Sequence, residues 1–220
     1  MPANKVLVTD FDGTVTKHDF YNLVAEELLT PAALRPWSDY LARKITHFEA
    51  MRRIYAAIRA PEERLMRVLR DMQPDPELAR YAAELKRAGW HVAVASAGCR
   101  WYIDIILKNA GVESFEVNAS PGLYHPGGPL ELSPPTGSPF YSPENGIDKA
   151  GIVRHHLDRG AVVAYAGDSF TDLEAALLVP DALRFGTAVL RERLREMNER
   201  VNNFNRWGEV AAALLEMRGA

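Results

Sequence analysis

Three short apolar runs constrain this chain more than any other feature. Residues 6–9 (Val-Leu-Val-Thr), 91–95 (His-Val-Ala-Val-Ala) and 161–166 (Ala-Val-Val-Ala-Tyr-Ala) each break off into small or acidic residues. Runs of that length, rich in valine and bounded by turn-forming residues, are strands buried on both faces, as in a parallel sheet. Segments of helical period lie between them. Residues 75–88 carry Leu78, Ala82 and Leu85 on one face, with Asp75 as the expected N-cap and Gly89 as the stop. Further helices are expected at 101–109 and 148–157, and a short strand at 115–118. Strands separated by helices predict an α/β fold with a doubly wound parallel sheet.

Two stretches interrupt the alternation. From 20 to 72 the apolar residues recur only at helical spacing, with Thr30-Pro31 and Ala60-Pro61 as punctuation, because proline suits a first helical turn. Residues 121–143 hold 7 of the 14 prolines and four glycines, which excludes a central strand or a helix. An irregular surface excursion or hairpin is expected there, in preference to a flap that touches a ligand.

With 220 residues, 47% of them hydrophobic, the chain suits one large domain or one domain with a smaller insert. Lys and Arg number 26 against 29 Asp and Glu, a net charge of -3 that gives no broad attraction for nucleic acid or anionic lipid. No apolar run approaches a membrane span, and the first residues lack the pattern of a secretory leader. A single cysteine, Cys99, excludes an internal disulfide. The expected location is the cytoplasm, the expected partner a small molecule, and the expected state a monomer or homodimer.

The candidate chemistry lies at the strand ends. Asp10-Phe11-Asp12-Gly13-Thr14-Val15-Thr16 follows the first strand, Ser96-Ala97-Gly98 the second, and Gly167-Asp168-Ser169-Phe170-Thr171-Asp172 the last, while Lys149 opens a helix. In a parallel sheet these ends share one edge, where open α/β sheets bind ligands. The set suits phosphoryl transfer. A carboxylate attacking a phosphate dianion faces repulsion of about 8 kcal/mol at 4 Å and an effective dielectric near 20, so cations must offset it. Asp10, Asp12 and Asp168 form the expected Mg²⁺ set, with a backbone carbonyl after Asp10 among the donors; Mg²⁺ prefers such oxygens. Lys149 would supply the second positive charge, and Ser96 with the amides of Ala97 and Gly98 would grip phosphate oxygens. Asp10 is then the nucleophile, and Asp12 the general acid toward the leaving alcohol and general base toward water. Asp172 would orient Lys149 or metal-bound waters, or simply be the first-turn acid of a helix.

These four ordered motifs resemble those of the haloacid dehalogenase superfamily. The helical insert between the first two resembles the small cap of its phosphoserine phosphatase-like branch, subfamily IB with a C1 cap. The resemblance implies a Rossmann-like core at 1–16 and 87–220, a helical cap at 17–86, and Mg²⁺-dependent hydrolysis of a small phosphorylated metabolite through an aspartyl-phosphate. Within the branch, Asp19 nine residues after Asp10, and Val117-Asn118-Ala119-Ser120, look like the phosphatases of 2-hydroxy-3-keto-5-methylthiopentenyl-1-phosphate in methionine salvage. Asp19 is accordingly a candidate substrate contact. Phosphoserine or a phospho-amino alcohol is the alternative; phosphoserine phosphatases have Glu where Asp19 stands and an Arg seven residues after a Phe-Glu pair, where this chain has Phe48-Glu49 and then Tyr55, with Arg52 and Arg53 nearby. A phosphoacceptor module without turnover is the alternative of another class; it would have adjacent acids after the first strand and no helical insert.

The other chemical residues carry less. Six histidines show no zinc spacing. His18 reads as a loop residue near the insert, Cys99 as a small packing residue, and Trp37, Tyr40 and Tyr55 as helix-face core.

Overall fold

The computed structural model describes residues 5–217. The chain's first four residues, which entered the reading of the N-terminus, lie outside that range. The first strand, β1 (Lys5–Thr9), leads into five helices, α1 (Phe20–Glu27), α2 (Arg35–Leu41), α3 (His47–Tyr55), α4 (Glu62–Asp71) and α5 (Leu78–Arg87). The alternating part follows as β2 (Trp90–Cys99), α6 (Arg100–Asn109) and β3 (Glu116–Ser120). Four short strands come next, β4 (Gly122–Tyr124), β5 (Leu130–Leu132), β6 (Tyr141–Ser142) and β7 (Gly146–Ile147). The chain continues through α7 (Lys149–Leu157), β8 (Val162–Gly167), α8 (Leu173–Leu177), β9 (Arg184–Gly186), α9 (Ala188–Glu196) and α10 (Trp207–Glu216).

The main sheet is parallel throughout, in the order β3-β2-β1-β8-β9. The expected doubly wound, Rossmann-like α/β fold is the observed one. From β1 the chain builds outward through β2 and β3, then crosses back to add β8 and β9 on the other side. The crevice at such a reversal, beyond the carboxyl ends of β1 and its neighbours, is where these sheets bind ligands. Side chains of β1 alternate between two cores: Leu7 packs with the α5 and α10 layer, and Val6 and Val8 with α7, α8 and α9.

Register fixes what the edge presents. Thr9 lies opposite Val94 of β2 and Ala166 of β8, so Asp10, Ser96 and Asp168 emerge within one or two residues of the same level. The Asp10 amide donates to the Ala166 carbonyl at 2.8 Å and extends the ladder one residue past the strand.

Several expectations change in detail. β2 does not stop at Ala95: Ser96-Ala97-Gly98 continue it irregularly until Cys99 pairs with Ser120. Asp75 is not the N-cap of α5. Its Oδ1 accepts the Glu77 amide at 2.8 Å and its Oδ2 the Gly208 amide at 2.8 Å, so one buried carboxylate joins the starts of α5 and α10. α5 itself packs on β2 and α10, beside the sheet, although 17–86 was the expected extent of the insert. The proline-rich excursion is two small hairpins, β4 with β5 and β6 with β7. They brace the inserted helices: the Tyr124 hydroxyl donates to the Ala60 carbonyl at 2.6 Å, and the Phe48 amide to the Glu144 carbonyl at 2.8 Å. The two chain segments joining α1–α4 to the sheet also pair with each other, by Lys17 N to Gln73 O at 3.0 Å and His18 N to Met72 O at 3.1 Å.

Because Asp75 satisfies two buried amides, Asp75→Ala is expected to lower the unfolding free energy by about 1–3 kcal/mol in denaturant titration, without changing the site.

Candidate active site

Lys149 occupies the first position of α7, whose N-cap Asp148 accepts the Gly151 amide at 2.7 Å. Its ammonium, only 4% exposed, lies 2.8 Å from Asp10 Oδ2 and 2.7 Å from Asp172 Oδ1. Burial alone would lower its pKa, but the two carboxylates outweigh that and hold it above the ordinary lysine value. Asp172 is saturated. Its Oδ1 also accepts the Tyr165 hydroxyl at 2.5 Å, and its Oδ2 accepts the Ser169 amide at 2.8 Å, the Ser169 hydroxyl at 2.7 Å and the Asp168 amide at 3.2 Å. Against the cost of burial, Lys149 and these donors pull its pKa below the usual carboxylate value.

Asp10 and Asp168 face the opposite situation. Burial, then the charge of Asp172, raises Asp10 well above the ordinary range despite Lys149, and the same two causes push Asp168 up to about 7. One oxygen each of Asp10, Asp168 and Asp172 lies within 4.8 Å of the others. With Asp172 spoken for by five donors, Asp10 and Asp168 are left as the under-compensated pair. Two carboxylates in that state are a donor set suited to a hard divalent cation such as Mg²⁺. Gly13 makes the approach feasible: its φ is +71°, and a Cβ there would stand 2.5 Å from Asp168 Oδ2.

The Asp12 side chain points away from that pair. Its Oδ1 accepts the Phe20 amide at 3.0 Å, at the start of α1, and its Oδ2 accepts the Tyr102 hydroxyl at 2.6 Å. Burial, then the nearby charge of Asp19, brings it to about 7, so both protonation states are accessible near neutrality. Both oxygens of the Asp12 carboxylate, expected among the Mg²⁺ donors, are thus engaged by α1 and α6. Asp19 caps α1 by accepting the Asn22 amide at 3.0 Å and lines the same cavity. Ser96 is buried and its Oγ accepts the Gly98 amide at 3.0 Å. Gly98 therefore spends its N–H on Ser96 and leaves the Ser96 hydroxyl proton to donate. Gly98 also has no room for a side chain, since a Cβ would collide with the Tyr102 hydroxyl.

Asp10, Asp12, Asp19, Ser96, Ala97, Gly98, Lys149 and Asp168 all line one cavity of about 520 Å³, and Asp172 lies just behind Lys149. Trp37 and Tyr40, read from the sequence as core, line it too, and Tyr55 does so while fully buried. Arg52 and Arg53 do not: both are paired with Glu49 on an exposed face, at 2.7 and 2.6 Å. Cys99 is packing, with its thiol pushed up to about 12 by burial, and His18 lies outside the cavity lining. Sequence reasoning missed Tyr102 and Tyr165, whose hydroxyls hold Asp12 and Asp172, and His47, whose Nδ1 is buried in the cavity wall without a partner.

The chain belongs to the haloacid dehalogenase-like hydrolase family, whose pattern matches residues 7–177. No curated protein matches it. Among solved structures it is similar to a haloacid dehalogenase family hydrolase from Salmonella enterica subsp. enterica serovar Typhi, with a TM-score of 0.71 at 16% identity, covering 100% of this chain and 73% of that one. It is also similar to a substrate-bound phosphoserine phosphatase (TM-score 0.64, 14% identity, 96% of this chain and 99% of that one). A phosphoserine phosphatase from T. onnurineus resembles it as well (TM-score 0.61, 17% identity, 98% and 96%). At these identities the likeness is one of fold. Among the described residues no helix is long and apolar enough to cross a membrane.

Two outcomes test this geometry. Gly98→Ala is expected to cut turnover by about 10²-fold or more while the protein stays folded by circular dichroism, because the clash displaces Tyr102 and Asp12. Burial, then Lys149, draws the His47 imidazole down to about 4. An unfolded chain takes up that proton near pH 6.5, so the stability His47 contributes is complete above about 6.5 and is lost as pH falls toward 4, by about 3 kcal/mol. Denaturant unfolding of His47→Gln should show an acid loss smaller by about that amount.

Proposed function

We propose that this chain is a Mg²⁺-dependent phosphomonoester hydrolase acting through an aspartyl-phosphate on Asp10. The observation that carries the reading is the division of labour among the carboxylates. Asp172 is consumed by Lys149 and four other donors, Asp10 and Asp168 remain for a cation, and Asp12, with a pKa near neutrality, is bonded to the first turn of the inserted helices. Asp10 and Asp168, with the Asp12 carbonyl, would hold Mg²⁺, which would screen the phosphate's charge from the attacking carboxylate.

An Asp10 oxygen bonds to phosphorus as the ester P–O bond breaks. Lys149 holds Asp10 Oδ2 and the Phe11 amide holds Oδ1 at 2.7 Å, so the carboxylate is oriented before substrate arrives. Asp12 in its protonated form gives its proton to the departing alkoxide. The resulting Asp12 carboxylate then takes a proton from a water that attacks phosphorus. That step breaks the bond to Asp10 and releases inorganic phosphate. The Ser96 hydroxyl donates to a phosphate oxygen, and Asp172 positions Lys149. Helices α1–α4 act as the cap over this chemistry.

For the alcohol, the pattern of Asp19 and residues 117–120 favours 2-hydroxy-3-keto-5-methylthiopentenyl-1-phosphate, and the fold shared with phosphoserine phosphatases favours phosphoserine. A turnover screen over both, with other phosphorylated metabolites, tests the choice.

With p-nitrophenyl phosphate and Mg²⁺, phosphate release is expected to vanish on chelation and to fall at least about 10³-fold in Asp10→Asn. Asp12→Asn should slow breakdown of the phosphoenzyme in rapid-quench traces. Full activity in Asp10→Asn would refute the nucleophile, and phosphorylation without turnover in the wild type would make the chain a phosphoacceptor module.

A further inference from the structure

The cavity has two unlike halves. At the sheet edge are the carboxylates and Lys149; on the cap side is a continuous aromatic wall. Tyr21 and Trp37 have ring centroids 5.0 Å apart, Trp37 and Tyr40 5.2 Å, and Tyr40 and His47 5.3 Å. Apolar side chains continue the wall to the mouth. Leu41 on the cap and Phe170 on the sheet side are 67% and 60% exposed, large values for such residues, and both line the cavity. Apolar surface kept open at a cavity mouth marks a surface meant to be covered.

Among the described residues, positive charge is absent from that half: Lys149 is the only lysine or arginine lining the cavity, and it is held by Asp10 and Asp172. Arg52 and Arg53 face outward, locked to Glu49. His47 is kept uncharged by burial, and its Nδ1 is buried with no partner. Two carboxylates border the wall as well: Asp19 lines the cavity, and Glu144 lies behind Tyr40 and His47, with its Oε1 3.5 Å from the His47 amide.

Resting on the phosphatase reading above, we infer that this site selects phosphomonoesters whose leaving alcohol has an apolar or aromatic body and no carboxylate. A carboxylate on the alcohol would be desolvated against rings and left facing Asp19 without a counter-charge. A flat or apolar body stacks on the Trp37 and Tyr40 wall and covers Leu41 and Phe170. The selection therefore runs against phosphoserine, although the fold is shared with enzymes named for it.

Two substrate pairs isolate the two features. Phosphoethanolamine and O-phosphoserine differ by one carboxylate; benzyl phosphate and ethyl phosphate differ by one phenyl ring. With the full chain and Mg²⁺, kcat/KM is expected to favour the first member of each pair by about tenfold or more. Trp37→Ala should shrink the benzyl-to-ethyl ratio by about fivefold, a readout internal to each preparation and so insensitive to partial unfolding. In the Arg52→Ala, Arg53→Ala double variant the phosphoethanolamine-to-phosphoserine ratio should stay within about twofold of wild type. Phosphoserine turned over as well as phosphoethanolamine, a ratio that moves with the arginines, or a benzyl preference untouched by Trp37→Ala would each overturn the inference. Absence of Mg²⁺-dependent phosphate release from all four esters and from p-nitrophenyl phosphate would overturn the phosphatase reading and this inference together, whereas release in the wrong order overturns only the inference.

Discussion

A lysine ammonium buried between two aspartates organises everything around it. Lys149, Asp10 and Asp172 lie on three different elements, α7, the end of β1 and the turn before α8, and their contacts at 2.7–2.8 Å pin those elements together at one point of the sheet edge. Burying charges is costly, and breaking such a pair by removing one partner leaves the other uncompensated. Asp172 escapes that cost through three further hydrogen-bond donors and the Tyr165 hydroxyl. Asp10 has fewer. The excess negative charge at Asp10 and Asp168 is the part of the network that folding leaves unresolved, and such residual frustration concentrates where a protein works.

The sheet makes that network affordable in geometry. Because β1 pairs with both β2 and β8 and all three run the same way, residues 72 positions apart, Ser96 and Asp168, reach one edge although β2 and β8 are not hydrogen-bonded neighbours. Glycine closes the remaining gaps. At residue 13 it permits both a left-handed backbone and the close approach of Asp168, and at residue 98 it leaves the volume that the Tyr102 hydroxyl occupies.

How much of this was readable in the sequence follows from how local each signal is. The strands at Val6, Val92 and Val163 and the helices between them were legible because a buried parallel strand is apolar on both faces and ends sharply. The acids after β1 and β8 were legible because they directly follow such ends. Tyr102 and Tyr165 were not, since a tyrosine on a helix face or inside an apolar strand has the same pattern whether its hydroxyl is idle or holds a carboxylate. Trp37 and Tyr40 reached the cavity instead of the core because α2 buries none of its residues fully, which helical spacing alone does not reveal. Asp75 looked like a cap for the helix after it, and the second partner that draws it away, Gly208, is 133 residues distant.

The paired connectors at Lys17–Gln73 and His18–Met72 carry one more consequence. The two crossings to α1–α4 are thereby tied at one place, and the Tyr124–Ala60 and Phe48–Glu144 bonds tie the same helices to the hairpins. The first amide of α1, Phe20 N, is also one of the two donors to Asp12. That bond favours the charged form of Asp12, so the proton affinity of a carboxyl at the sheet edge depends on where the first turn of α1 sits, a link between the outer half of the molecule and its reacting edge.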